Sequence, residues 1–179
     1  MTEPADEIIM QHVKDGQLEE LSVLFERYHL RLFNFFLKLT SDRAVSQDLT
    51  QNLFYRIMKY RTTYRDVHSV KAWIYQVARN VHIDHCRSEQ KRNHRFIPVE
   101  TYNPETREEE SRFDEDDYGR LEQALQALTD EQKELIVLSR YQGLKYEEIS
   151  KICDLSVPAI KTQVHRAMKQ LRSIYFKQV

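Results

Sequence analysis

The sequence predicts an all-α fold: two small helical domains joined by an acidic linker. Three observations carry this. The 179 residues include only 3 Gly and 4 Pro, where an average chain of this length holds roughly 12 and 9. That scarcity disfavours turn-rich sandwiches and glycine-looped nucleotide folds. Apolar residues recur at three- and four-residue steps over long windows, the period of an amphipathic helix. No stretch of useful length alternates as a half-buried strand does, and no internal repeat is visible.

The first periodic segment covers about 18–39, with Leu21, Leu24, Phe25, Tyr28, Leu32, Phe35, Phe36 and Leu39 on one stripe. Asp42 is placed to cap a second helix over about 43–61, whose stripe is Leu49, Leu53, Ile57 and Tyr60. A polar connection over 62–68 follows. Ser69 or His68 then opens a helix that turns Val70, Trp73, Ile74, Val77, Ala78 and Val81 inward and ends in Arg and Lys. Periodicity vanishes over 96–117, where Pro98, Pro104 and clustered acids read as a linker. Helices are expected again at about 118–127, 130–141, 145–153 and 157–175. The predicted domains are therefore 1–95 and 118–179.

The formal net charge of −1 hides a block pattern. Residues 1–50 sum to −4, 51–95 to +7, 96–120 to −6, 121–139 to −3 and 140–179 to +5. Two basic helical segments separated by acidic ones suggest two contacts with a polyanion. The N-terminus has no apolar h-region, and no apolar run approaches the roughly 18 residues of a membrane span. The chain is expected to be cytoplasmic, without membrane insertion, with Cys86 and Cys153 as reduced thiols. Neither GxxxxGK[ST] nor GxGxxG occurs. No nucleophile–base constellation is visible, so no catalysis and no cofactor are expected.

The most specific local pattern is Tyr146 to Arg172. A two-turn helix buries Ile149 and Ile152 or Cys153. Asp154 sits where the chain must turn sharply, and Asp tolerates left-handed backbone better than most residues. Leu155 plugs the angle, Ser156 caps, and Pro158 falls in the first turn, where its missing N–H is harmless. Ile160, Val164, Ala167, Met168 and Leu171 form the buried stripe of the second helix. Lys161, Thr162, His165, Arg166 and Lys169 fall on other faces. This is a helix-turn-helix with a basic outer face, suited to phosphates and to guanine edges in a major groove.

Residues 51–95 mix cations with the aromatics Phe54, Tyr55, Tyr60, Tyr64, Trp73 and Tyr75, a combination that holds single strands by following phosphates and stacking bases. Trp73 is expected in the core. Tyr64, in the polar connection, is expected to be more available. Asp48, Gln51, Asn52 and Arg56 are placed to form a polar face beside a buried stripe.

These residues also carry a resemblance. The run Asp48-Leu-Thr-Gln-Asn-Leu-Phe54 resembles the DLTQxxF-like signature of sigma factor region 2. The run from Lys71 to Asp84 is similar to that region's following helix. Leu125 through the helix-turn-helix resembles region 4. In order and across an acidic linker, they resemble the extracytoplasmic-function (ECF) group of the sigma-70 family. The resemblance implies a promoter-specificity factor without enzymatic activity. It implies that Asp48, Gln51, Asn52 and Phe54 dock on the largest-subunit clamp helices of core RNA polymerase, with the flap region as a further contact. It assigns Tyr64, Arg65 and Asp66 to capture of a flipped base of the −10 element. Arg79, Asn80, Asp84 and Arg87 would contact that element and its backbone. Lys161, Thr162, His165, Arg166 and Lys169 would read the −35 element. An anti-sigma factor is implied as a further partner.

Two other classes fit parts of the sequence. A conventional repressor or activator would use the same helix-turn-helix without polymerase. A metal sensor is prompted by His82, His85, Cys86 and His94, of which His82 and Cys86 stand one turn apart. The basic surroundings of that run repel cations, and no metal is expected.

Overall fold

The computed structural model describes residues 4–65, 69–93 and 115–177. Among them lie eight helices and no strand: α1 (Asp6–Lys14), α2 (Leu21–Thr40), α3 (Arg43–Tyr60), α4 (Val70–Asn93), α5 (Glu115–Gln126), α6 (Asp130–Ile136), α7 (Tyr146–Cys153) and α8 (Val157–Lys177). The expected linker falls almost entirely outside the described residues, as does Asp66. α5 opens three residues earlier than the sequence suggested.

In the N-terminal half, α2 and α3 pair across a connection of two residues. Ser41 ends α2 in the left-handed region (φ 53°), and the Oδ1 of Asp42 accepts the Val45 N–H at 2.9 Å to start α3. Leu24, Leu32, Phe35 and Phe36 of α2 and Leu53 and Ile57 of α3 are fully buried between them. α4 closes this core with Val70, Ile74, Tyr75 and Ala78, and the Oγ of Ser69 caps it by accepting the Ala72 N–H. The periodicity reading missed α1, whose Ile9, Met10 and Val13 are fully buried in the same core. Tyr60, expected on the buried stripe of α3, is 45% exposed, because it faces an open cleft between α3 and α4.

The C-terminal half begins its helix-turn-helix support at Thr129, which forms a reciprocal cap with Gln132 on α6. α6 continues into a widened turn over 137–141 and stops at Gly143, in the left-handed region at φ 64°. α7 ends at Asp154 with φ 55° and ψ 46°, the left-handed turn expected there. Ser156 then accepts the Ala159 N–H as the cap of α8.

The halves touch along one face of α4 and at the end of α2, where the Nε2 of Gln126 donates to the Ser41 Oγ and the Lys38 Nζ lies over the Tyr141 ring. The Oγ of Ser69 donates to Glu148 (3.0 Å), the Nζ of Lys71 donates to the Gln142 carbonyl (2.9 Å), and the Tyr75 hydroxyl donates to the Gln142 side-chain oxygen (2.5 Å). One turn further, the Nε of Arg79 lies 3.1 Å from the Glu134 carboxylate. Lys71, Tyr75 and Arg79 are four residues apart, so one stripe of α4 carries its share of the contact.

Candidate nucleic-acid interface

α8 presents its expected cationic face. Lys161, Thr162, His165, Arg166 and Lys169 are all exposed, while Ile160, Val164, Ala167 and Leu171 are buried. At about 100° per residue the first set spans about 140° of the helix, centred nearly opposite the second. Thr162 turns its hydroxyl back to the Pro158 carbonyl at 3.0 Å. Among the described residues no ion pair neutralises Lys161, Arg166 or Lys169.

A second feature opens between α3 and α4. A cleft of about 380 Å³ takes Arg56 and Tyr60 from α3, Thr63 and Arg65 from the following turn, and Trp73, Gln76, Val77 and Asn80 from α4. Two cations and no acid line it. It lies on a face of α4 other than the stripe that meets the C-terminal half, so it stays open while the halves touch. An opening of this size, with ring faces and donors, suits one unstacked base better than a duplex.

The expected −10 residues divide around this cleft. Asn80 and Arg65 line it. Asp84 and Arg87 are exposed on the continuation of the Asn80 stripe. Arg79 is not brought there, since it is engaged with Glu134. Tyr64 corrects the sequence reading: it is 1% exposed, its ring packs edge-on against Trp73 at 5.5 Å, and its carbonyl accepts from the Lys14 Nζ at 3.0 Å. The polar connection around it suggested availability, but the ring is pinned beneath Trp73. Trp73 is 8% exposed, core as expected, with an edge on the cleft. Arg56, which the resemblance left out, lines the cleft and pairs with Asp84 at 2.7 Å.

On α3, Asp48, Gln51 and Asn52 are exposed on one face. Phe54 is 7% exposed and packs against Phe25 at 4.8 Å, so it supports this face from below. Tyr55 shares the face and is 57% exposed; its place seven residues after Asp48 was the signal available in the sequence.

Burial shapes the acid–base chemistry where the halves meet. Desolvation raises the Glu134 carboxyl above its ordinary range, against the opposing pull of Arg79. Burial, with His85 second, holds His82 down to about 4, so it is neutral at pH 7. Its Nε2 lies 3.6 Å from the Cys86 sulfur. Burial pushes both Cys86 and Cys153 up, Cys153 to about 11, which makes them poor thiolates, and neither is in a disulfide. Among the described residues no group of three potential ligands converges on a metal site, and no helix is long and apolar enough to cross a membrane.

Two helical units, one with a cationic helix-turn-helix and one with a base-sized cleft, define a DNA-binding transcription protein. The sigma-70 region 2 family model matches residues 24–92, and the sigma-70, region 4 model matches residues 118–171. Among relatives, SigX of Bacillus subtilis, an ECF RNA polymerase sigma factor, is 28% identical over 160 residues, covering 86% of this chain and 82% of SigX. The ECF sigma factor SigE of Mycolicibacterium smegmatis is 25% identical over 187 residues, covering 98% and 71%. In fold, the chain matches CnrH, solved in complex with the cytosolic domain of CnrY, with a TM-score of 0.75 at 18% identity over 98% of this chain and 100% of that one. It also matches the Bartonella quintana sigma factor RpoE, solved in complex with the anti-sigma factor NepR, with a TM-score of 0.71 at 22% identity over 87% and 96%. The chain belongs to the sigma-70 family, in its ECF group. It is a promoter-specificity factor for RNA polymerase.

Proposed function

We propose that the chain divides promoter recognition between two surfaces and performs no chemistry of its own. The face of α8 bearing Lys161, Thr162, His165, Arg166 and Lys169 reads the −35 duplex, its cations on phosphates and Arg166 on base edges. The α3–α4 cleft captures an unstacked base of the −10 element, with Asn80 and Arg65 against the strand and Arg87 on the backbone. Unstacking costs a few kcal/mol per base, and capture in the cleft offsets that cost. Asp48, Gln51 and Asn52, with Tyr55 beside them, dock on the polymerase clamp. Docking fixes both weak DNA contacts on one body and raises their mutual effective concentration. The domains are 1–95 and 118–179, tethered by 96–117. The chain acts in the cytoplasm, with core polymerase and promoter DNA as partners and an anti-sigma factor as the natural antagonist of these surfaces.

The observation that carries this reading is that both the cationic face of α8 and the cleft stay open while the halves contact each other. The docking assignment is tested by Asp48→Ala combined with Gln51→Ala. The pair should abolish co-purification with core polymerase and promoter-dependent transcription, with an unchanged melting temperature. Unchanged polymerase binding would overturn the assignment.

A further inference from the structure

Arg56 is the cation of the cleft whose geometry is most constrained. Its Nη1 donates to the Oδ2 of Asp84 on α4 at 2.7 Å, and its Nε donates to the Oδ1 of Asn52 one turn back on α3 at 3.3 Å. Among the described residues, its Nη2 has no partner. Asp84 does not line the cleft. Its side chain is 50% exposed against 27% for Arg56, and so exposed a pair contributes little to stability. Asp84 is also poorly suited to follow the DNA backbone itself. A carboxylate offers only acceptors and repels phosphate. What it does supply is direction. An arginine loses much rotamer freedom when it binds, and a guanidinium held beforehand loses less.

We propose that Asp84 is a positioning residue: it holds Arg56 so that the remaining guanidinium donors meet the acceptor atoms of a single unpaired nucleobase in the α3–α4 cleft. Arg56 is the group that touches the base, and Asp84 acts through it. The inference rests on the reading of the cleft as a base-capture site. It adds a residue to that site and changes the part played by Asp84 from a DNA contact to a support. Asn52 completes the clamp on Arg56 from the polymerase-facing side of α3.

The sign of one substitution separates the possibilities. Asp84→Ala removes a negative charge from a DNA-binding surface, so an uninvolved carboxylate would give tighter binding on its loss. A positioning carboxylate gives weaker binding. The test uses the full chain, measuring anisotropy with 12-nucleotide single strands of each base and a fully abasic strand of equal length. Arg56→Ala should weaken binding to the best base-containing strand about tenfold, the size of one good arginine–base contact. Asp84→Ala should weaken it about threefold, and the double variant should lose no more than Arg56→Ala alone. On the abasic strand, Asp84→Ala should bind as well as wild type or better. Losses that multiply in the double variant, or a weakening by Asp84→Ala that persists on the abasic strand, would overturn the proposal. A wild-type chain that does not distinguish base-containing from abasic strands would instead overturn the base-capture reading, and this inference with it. Equal urea midpoints for all four proteins confirm that folding is not the cause.

Discussion

Replacing Lys161, Arg166 and Lys169 together by Ala removes three exposed cations from the face of α8 without touching its buried stripe. Each phosphate neutralised on duplex DNA contributes about 0.9 to the slope of log affinity against log salt. Three contacts therefore contribute about 2.7. Over a fourfold rise in salt, from about 50 to 200 mM, wild type should lose about fortyfold more affinity than the triple variant. That difference amounts to about 2.2 kcal/mol. The assay is fluorescence anisotropy of the full chain on a duplex, repeated across the salt series. Because all three side chains are solvent-exposed, the melting temperature should move little. A triple variant with the wild-type slope would mean that this face does not meet phosphate. The assignment of α8 as the duplex reader would then fail, whatever the absolute affinities.

Two further outcomes follow from the geometry. His82 has an ordinary pKa near 6.5 when unfolded and about 4 when folded. The unfolded chain thus binds more protons in that window, and stability is fully present above about 6.5 and lost as the pH falls toward 4. Discounted for partial exposure, the loss between pH 7.5 and pH 5 should be about 1 kcal/mol. His82→Gln should flatten that part of the pH dependence of the urea midpoint; an unchanged profile would contradict the buried, neutral imidazole. Gly143 has φ of 64°, and no atom lies within 4 Å of where a Cβ would stand, so Gly143→Ala is opposed by backbone strain and not by crowding. It should cost about 1 kcal/mol by urea unfolding, whereas a neutral result would mean that the turn before α7 relaxes freely.

The helices were legible because their signals are local. Asp42 caps α3, Ser156 caps α8, and Asp154 takes the left-handed turn, each as residue chemistry dictates. The cationic face of α8 followed from period alone. The sequence was silent where contacts join distant residues. Arg79 and Glu134 stand 55 positions apart, and no periodicity pairs them. Tyr64 was misjudged because a polar neighbourhood describes the connection and not the ring, which Trp73 and Lys14 hold in place. Arg56 reads as one more surface cation until α4 brings Asp84 to it. α1 was missed because its buried residues, Ile9, Met10 and Val13, are too few to establish a period amid acids.

The most direct test of promoter recognition is transcription of bacterial genomic DNA by core RNA polymerase with and without this chain, with the 5′ ends of the transcripts mapped. The division of labour between α8 and the α3–α4 cleft predicts discrete start sites that appear only with the chain and share two upstream elements at fixed spacing. Starts that do not depend on the chain, or chain-dependent starts that share no upstream elements, would contradict it.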